Sequence, residues 1–268
     1  MWVADDRFLI LGVVYRVVCE DNLVAVEVRR VLGSFERTTR PARAANTILI
    51  TARSDVGPVV HIGCRRFSSD GSLENLMSSV IAVINNSVIG QVAQFSVHSA
   101  VVGWEHNVLA FPAVSGGGKS TLAAALTQLG FTYFSDEALV LDSNSTVLSY
   151  PKPISLSPES CELLGLAHTG VERLVMAEEL GGESSTDQNA LTHIVLAVRG
   201  LGQSGLETLP RSQGVTSLLS HSFNHYKDPE GAFLTATKAA SGAEVWQLSY
   251  TDPRKAAELI RSALGSPD

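Results

Sequence analysis

The sequence has few cysteines, no excess of positive charge and no long apolar run. Its three cysteines, Cys19, Cys64 and Cys161, lie far apart without Cys-x-x-Cys spacing, which argues against a zinc site or disulfide framework and favours a reducing cytosol. The net charge is −7, so we expect no nucleic-acid partner. No run approaches the ~18 apolar residues of a membrane span, and residues 1–6 lack the basic segment of a signal peptide. We therefore expect a cytoplasmic protein with no membrane partner.

The composition is typical of a folded globular protein, with 45% hydrophobic and 18% charged residues over 268 positions. This length suits one large or two modest domains. Alternation and helical spacing predict strands at 7–18, 47–50, 58–62, 95–102, 133–142 and 193–198, and helices at 23–32, 73–89, 214–221 and 252–264. Asp21-Asn22 caps the helix predicted at 23–32, whose valine-rich composition leaves a strand as the alternative there. The sequence therefore predicts an α/β protein, with a small mixed α+β domain over residues 1–92 and a second domain over residues 93–268.

The most informative segment is Ala113-Val-Ser-Gly-Gly-Gly-Lys-Ser-Thr121. It lies between an apolar run at 107–111 and a helix-forming run at 121–126, which is the strand, turn and helix context of a phosphate-binding loop. Backbone N–H groups at a helix start attract anions, and glycines allow close approach. The expected nucleotide ligands are Ser115, Gly116, Gly117, Gly118, Lys119, Ser120 and Thr121. Ala113 departs from the strict pattern, which has glycine there, and is compatible with it only if that residue needs no positive φ.

Two adjacent acids, Asp136 and Glu137, follow Ser120 by about 16 residues, enough for one helix and the return to a neighbouring strand. One acid can face Mg²⁺ and the other an acceptor hydroxyl, as phosphoryl transfer requires. Asp142 is an alternative candidate for the metal ligand, although it is the first residue of a polar turn and its side chain is suited to capping that turn. His98 lies in an apolar strand, where a histidine is usually a core residue.

The order Val-His-Ser-Ala-Val-Val, then the glycine-rich loop, then Gly-Phe-Thr-Tyr-Phe-Ser-Asp-Glu resembles the catalytic domain of HPr-serine kinase/phosphorylase and its short kinase-like relatives. The resemblance covers roughly residues 92–160. It implies a P-loop kinase domain with a phosphoenolpyruvate carboxykinase-like fold, using ATP and Mg²⁺. By position it implies that Asp136 is the general base, that Glu137 helps Ser120 to hold Mg²⁺, and that His98 is a catalytic residue that orients or polarises. The loop motif itself makes Lys119 the catalytic lysine that reaches the β- and γ-phosphates. The family forms hexamers, which makes a homo-oligomer one expectation.

Two departures qualify this resemblance. The paired acid of the family is usually Asp-Asp, whereas here it is Asp-Glu. Arg199-Gly-Leu-Gly202 echoes a family motif, but it follows the acids by about 60 residues, and we treat it as coincidence at this stage. The segments Pro151-Lys-Pro-Ile-Ser155 and His221-Ser-Phe-Asn224 also look like the short relatives, with Lys152 placed to approach the phosphates or the acceptor.

We therefore expect a kinase that transfers the γ-phosphate of ATP to a hydroxyl, serine-like and either free, in a peptide or on a protein. The alternative is a nucleotide-binding regulatory or interaction protein without turnover. A transporter-type ATPase is disfavoured, because Glu179-Leu-Gly-Gly-Glu183, the one segment similar to that family's signature, precedes no strand ending in aspartate. His221 and His225 are a further candidate metal pair, although the residues after them suggest a helix end.

Overall fold

A computed structural model describes residues 1–53, 57–63, 65–68, 72–114, 116–185, 187–200 and 204–265. Within these residues the chain forms two large β-sheets, a two-stranded sheet and seven α-helices, so it is a mixed α/β protein as predicted. No helix among them is long and apolar enough to cross a membrane.

The first sheet has six strands and two helices packed against it. The strands are β1 (Ala4–Ile10), β2 (Val13–Cys19), β3 (Glu36–Arg37), β4 (Thr47–Arg53), β5 (Gly57–Ile62) and β6 (Arg65–Ser68), in the order β3-β1-β2-β4-β5-β6. The helices are α1 (Asn22–Val31) and α2 (Leu73–Gln91). The carboxylate of Asp21 caps α1 by accepting hydrogen bonds from the backbone N–H groups of Leu23 and Val24, which confirms the predicted cap.

The single strand predicted over residues 7–18 is wrong, because the structure has a hairpin there. Leu11 and Gly12 have φ values of 46° and 81°. Left-handed backbone at both central positions matches the right-handed twist of the flanking strands. Leucine rarely adopts a positive φ, and apolar residues continue through the turn, so the sequence pattern does not indicate a turn at this position.

The second sheet has nine strands and carries the glycine-rich loop. Its strands are β7 (Phe95–Trp104), β8 (Asn107–Pro112), β9 (Thr132–Ser135), β10 (Ala138–Leu141), β11 (Thr146–Leu148), β14 (Asn189–Ala190), β15 (His193–Arg199), β16 (Gly205–Thr208) and β17 (Glu244–Tyr250). The order is β14-β11-β10-β7-β8-β15-β17-β16, with β9 beside β7. Strands β8, β15 and β17 are parallel neighbours, so their carboxyl ends lie at one edge. The small sheet pairs β12 (Ile154–Leu156) with β13 (Arg173–Val175).

Five helices accompany the second sheet: α3 (Lys119–Gln128), α4 (Pro158–Leu164), α5 (Arg211–Ser220), α6 (Pro229–Ser241) and α7 (Pro253–Leu264). Helix α3 packs against α4 and α7, whereas α5 packs against α6, β15 and β17. The two predicted C-terminal helices are confirmed, although α5 begins earlier than expected, at Arg211. Asp252 caps α7 through the backbone N–H of Arg254, at 2.9 Å.

The strand predicted over residues 133–142 is divided into β9 and β10, which both pair with β7. Asp136 and Glu137 lie in the break. The Ser135 hydroxyl oxygen accepts hydrogen bonds from the backbone N–H groups of Glu137 and Ala138, at 3.1 and 3.0 Å. Because of this local turn, Asp136 and Glu137 belong to neither strand, whereas the residues on both sides of them remain paired in the sheet.

The two halves of the chain share a hydrophobic core. Side chains of α1, α2 and the first sheet form one cluster with Ala138, Val140, Tyr150 and Leu174 of the second half. The rings of Phe35 and Tyr150 stack with centroids 5.7 Å apart. The predicted boundary at residues 92/93 lies between the two sheets and stays a prediction.

Candidate active site

The glycine-rich loop connects the end of β8 to the start of α3. Gly116 and Gly118 have φ values of 78° and 81°, in the left-handed region that favours glycine. A Cβ on Gly117 would lie 3.2 Å from the Val114 carbonyl oxygen, so close packing explains the middle glycine. Ala113 has no positive φ, which explains why alanine is tolerated. Ser115 lies outside the described residues.

Lys119 is buried inside the loop. Its Nζ donates hydrogen bonds to the carbonyl oxygens of Ala113 and Val114, at 3.1 and 2.9 Å. Burial lowers its pKa, and the nearby charges of Glu137 and Asp136 oppose this effect. The ammonium group is therefore held by the loop carbonyls and is within the electrostatic influence of the paired acids.

Asp136 is buried and surrounded by hydrogen-bond donors. Lys152 Nζ lies 2.6 Å from Asp136 Oδ1, and the Tyr133 hydroxyl donates to the same oxygen at 2.8 Å. Burial alone would raise the pKa of Asp136, but the charge of Lys152 and hydrogen bonds from Lys152, Ser120 and Tyr133 outweigh it, so the pKa lies below its ordinary value. Asp136 is therefore a fixed anion directly beside Ser120 of the loop.

Glu137 and His98 form the more exposed part of the site. Their side chains are 26% and 19% exposed, against 2% for Asp136, and His98 Nε2 lies 3.7 Å from Glu137 Oε1. Burial first, and then the charges of Lys119 and His221, lower the pKa of His98 from 6.5 to about 4 against a smaller opposing effect of Asp136. His98 is therefore neutral at pH 7, and its contact with Glu137 is not an ion pair.

The backbone of His98 connects the loop to the end of α5. Its N–H donates to the His221 carbonyl at 2.8 Å, and its carbonyl accepts from the Ala113 N–H at 3.2 Å. Asn224 accepts from the Ser96 N–H at 3.1 Å and donates to the Gln94 carbonyl at 2.8 Å. The segment from His221 to Asn224, which the sequence left without a role, thus lies along β7 and supports the strand that carries His98.

Arg199 and Tyr250 are site residues that the sequence analysis missed. They end the parallel strands β15 and β17, at the same sheet edge as the loop. A Cβ on Gly118 would lie 3.1 Å from the Tyr250 hydroxyl and 3.9 Å from Arg199 Cδ. Arg199 therefore lies beside the loop, although we treated the family motif that begins at this residue as a coincidence. Each of these residues lies at the end of a strand, and this position is the feature of the sequence that could have indicated a role in the site.

The remaining candidates have other contacts. The hydroxyl of Thr121, a predicted nucleotide ligand, lies 2.8 Å from the Ser160 hydroxyl. Asp142 Oδ1 accepts from the backbone N–H groups of Asn144 and Thr146, at 2.8 and 2.9 Å, so this carboxylate caps a turn. His221 follows α5, whereas His225 begins a separate 3₁₀ turn. Across the described part of the chain, no three His, Cys, Asp or Glu side chains cluster as a metal site.

Comparisons with known proteins leave the family open. No protein-family model matches the sequence, and no curated protein matches it. Among solved structures, the chain is similar to the HPr(Ser) kinase/phosphatase from Coxiella burnetii, with 11% sequence identity and a TM-score of 0.35, over 63% of this chain and 95% of that chain. A TM-score this low carries no argument about fold or activity.

The buried pair gives the first prediction. Replacing Lys152 by Met leaves the carboxylate of Asp136 buried without a cation, and we expect the free energy of unfolding to fall by about 3–5 kcal/mol. The double variant Asp136→Asn/Lys152→Met removes both charges, so it should recover at least half of that loss. Urea denaturation at pH 7 of the wild type, both single variants and the double variant measures this. A double variant whose loss equals the sum of the two single losses would contradict the coupling.

The second prediction concerns pH. Because the pKa of His98 is about 4 in the folded protein and near 6.5 when unfolded, the unfolded chain binds a proton first as the pH falls. The neutral His98 therefore contributes stability that is complete above about pH 6.5 and is lost towards pH 4, by up to about 3 kcal/mol. His98→Gln should lack this part of the pH dependence. Urea denaturation of both proteins from pH 7.5 to pH 4 tests it, and parallel stability curves would contradict the assignment.

Proposed function

We propose that this protein transfers the γ-phosphate of ATP, with Mg²⁺, to a hydroxyl acceptor. The observation that carries the proposal is the proximity of the glycine-rich loop to the paired acids, where Ser120 lies close enough to the buried carboxylate of Asp136 to help lower its pKa. A helix start with exposed backbone N–H groups and a lysine suits phosphates, and a carboxylate beside the loop hydroxyl suits a metal ion. The motif order that resembles HPr-serine kinase/phosphorylase supports the same reading.

The oxygen donors of the site fit Mg²⁺. This ion is usually held by one or two carboxylates together with phosphate oxygens and water, so a cluster of three acidic ligands is not required. We assign its protein ligands to Ser120 and Asp136, because the hydroxyl lies near enough to the carboxylate to affect its pKa and Asp136 stays ionised. Bound there, Mg²⁺ would neutralise negative charge on the phosphoryl oxygens.

We assign the proton acceptor to Glu137. A general base must reach the acceptor hydroxyl, and the Glu137 side chain is 26% exposed whereas that of Asp136 is 2% exposed and bound by Lys152. Neutral His98, whose Nε2 lies 3.7 Å from Glu137 Oε1, adjoins that carboxylate without adding a positive charge. This assignment exchanges the roles that the family resemblance implies for the two acids.

The remaining groups bind the phosphates. Backbone N–H groups of Gly116, Gly118, Lys119 and Ser120 bind phosphate oxygen atoms, whereas that of Gly117 donates to the Val114 carbonyl. Lys119 exchanges its two loop carbonyls for the terminal phosphates. Arg199, beside Gly118, adds a second cation. The acceptor we propose is a serine-like hydroxyl, free or within a peptide or protein.

The test of this function is ADP release from Mg-ATP with a panel of acceptors: free serine, a peptide ending in serine, and a phosphocarrier protein. We expect release that depends on one acceptor and falls by at least about 10²-fold in Lys119→Met, because the phosphate cation is lost. Lys255→Met, which removes an exposed lysine of α7, is the matched control and should keep full activity. Nucleotide binding without ADP release for every acceptor would favour the non-catalytic regulatory alternative.

The two acids give a separate prediction. Glu137→Gln should lower kcat by about 10²–10⁴-fold, as loss of a general base does, with nearly unchanged affinity for Mg-ATP. Asp136→Asn should instead weaken Mg-ATP binding, because a metal ligand is lost. Calorimetric titration and initial rates measure both effects, and the double variant Asp136→Asn/Lys152→Met controls for destabilisation. The reverse pattern would return the base to Asp136.

A further inference from the structure

Two adjoining cavities form a groove along the first half of the chain, on the side where it meets the second half. Each has a volume of about 340 Å³, and Gly12, in the turn of the β1–β2 hairpin, lines both of them. The first cavity lies between this hairpin and the segment before β4, and Pro41, Arg43, Asn46 and Gln91 are among its lining residues. The second lies between the two halves, and its lining residues include Leu9, Phe35, Gln94, Leu148, Pro151 and Gln188. Together the cavities exceed what a single amino acid fills, so the groove suits an extended chain.

The Pro151 end of this groove lies next to the proposed general base. Strands β10 and β11 are antiparallel neighbours, and their register, continued past the end of β11, brings Pro151 opposite Glu137. The same register brings Lys152 opposite Asp136, and the distance of 2.6 Å between Lys152 Nζ and Asp136 Oδ1 agrees with it. Neighbouring strands lie roughly 5 Å apart. A hydroxyl held at this end of the groove is therefore within reach of the Glu137 carboxylate.

The other end of the groove carries an arginine without an acidic partner. The five arginines of residues 1–37 all form ion pairs with carboxylates, and these are Arg7, Arg16, Arg29, Arg30 and Arg37. Arg43 is exposed, as is Arg40 on the same segment, and neither pairs with a carboxylate of the described residues. In a chain with a net charge of −7, two such arginines supply local positive charge that attracts an acidic ligand.

We propose that this groove binds an extended acidic segment of the acceptor, with the serine at the Pro151 end and a carboxylate side chain at Arg43. The inference rests on the proposed function, and it narrows the acceptor from any serine-like hydroxyl to a serine within an acidic peptide segment. The planar guanidinium of Arg43 suits a carboxylate, which it binds through two parallel hydrogen bonds. The exposed amide side chains of Gln94 and Gln188 suit the peptide backbone, because an amide both donates and accepts hydrogen bonds.

Fluorescence anisotropy with labelled peptides tests the groove without requiring turnover. The acidic peptide has a single serine with glutamates on both sides, and the neutral peptide has glutamines at the same positions. The wild type should bind the acidic peptide at least about threefold more tightly, which is the size expected of an exposed charge pair, and added salt should reduce this preference. Arg43→Gln should lose the preference. Arg66→Gln, at an exposed arginine of β6 on the far edge of the first sheet, is the matched control and should keep it.

ADP release with the same peptides and with free serine separates the groove from the proposed function. The wild type should favour the acidic peptide through a lower KM, and Arg43→Gln should remove this difference. Equal binding of the two peptides by the wild type, equal losses in Arg43→Gln and Arg66→Gln, or a kcat/KM for free serine that matches the acidic peptide would overturn the groove and leave the proposed function standing wherever ADP is released. Peptide binding that depends on Arg43, without ADP release for any acceptor, would overturn the proposed function and with it the assignment of the peptide as acceptor.

Discussion

The buried ion pair between Asp136 and Lys152 is the interaction on which the geometry of the site depends. Two charges removed from water are tolerated only when their hydrogen bonds are satisfied, and here the Tyr133 hydroxyl donates to the carboxylate and the Pro153 carbonyl accepts from the ammonium group. These contacts join the break between β9 and β10 to the extended segment at Lys152, and Ser120 at the start of α3 lies beside them. The pair thus links the acids to the phosphate loop.

Strand order is the second constraint. Because β8 lies between β7 and β15, the loop that leaves its carboxyl end meets antiparallel neighbours on one flank and parallel neighbours on the other. The antiparallel flank supplies His98 and the paired acids, and the parallel flank supplies Arg199 and Tyr250. The two flanks of the loop therefore carry different groups, with the paired acids on one and Arg199 and Tyr250 on the other.

Differences in burial give the ionisable groups of the site different charges and different access to solvent. It keeps His98 neutral, and it makes the charge of Asp136 depend on Lys152. Glu137 retains access to solvent beside them. Two adjacent acids that the sequence presents as equivalents thus differ in environment, and a difference of this kind assigns different chemical roles to paired carboxylates. This is the physical reason why we propose to exchange the roles that the family resemblance implies for Asp136 and Glu137.

The sequence by itself determined the elements that depend on local interactions. The cap at Asp21, the helix at residues 73–89 and the strand, glycine turn and helix around Lys119 all follow from neighbouring residues, and all are present. Tertiary structure alone decided the hairpin at Leu11 and Gly12, the break at Asp136 and the pairing of Asp136 with Lys152. It also decided that Arg199, far along the chain, lies beside Gly118. Contacts between distant segments arise from strand order and shared burial, and a pattern read along one chain contains neither.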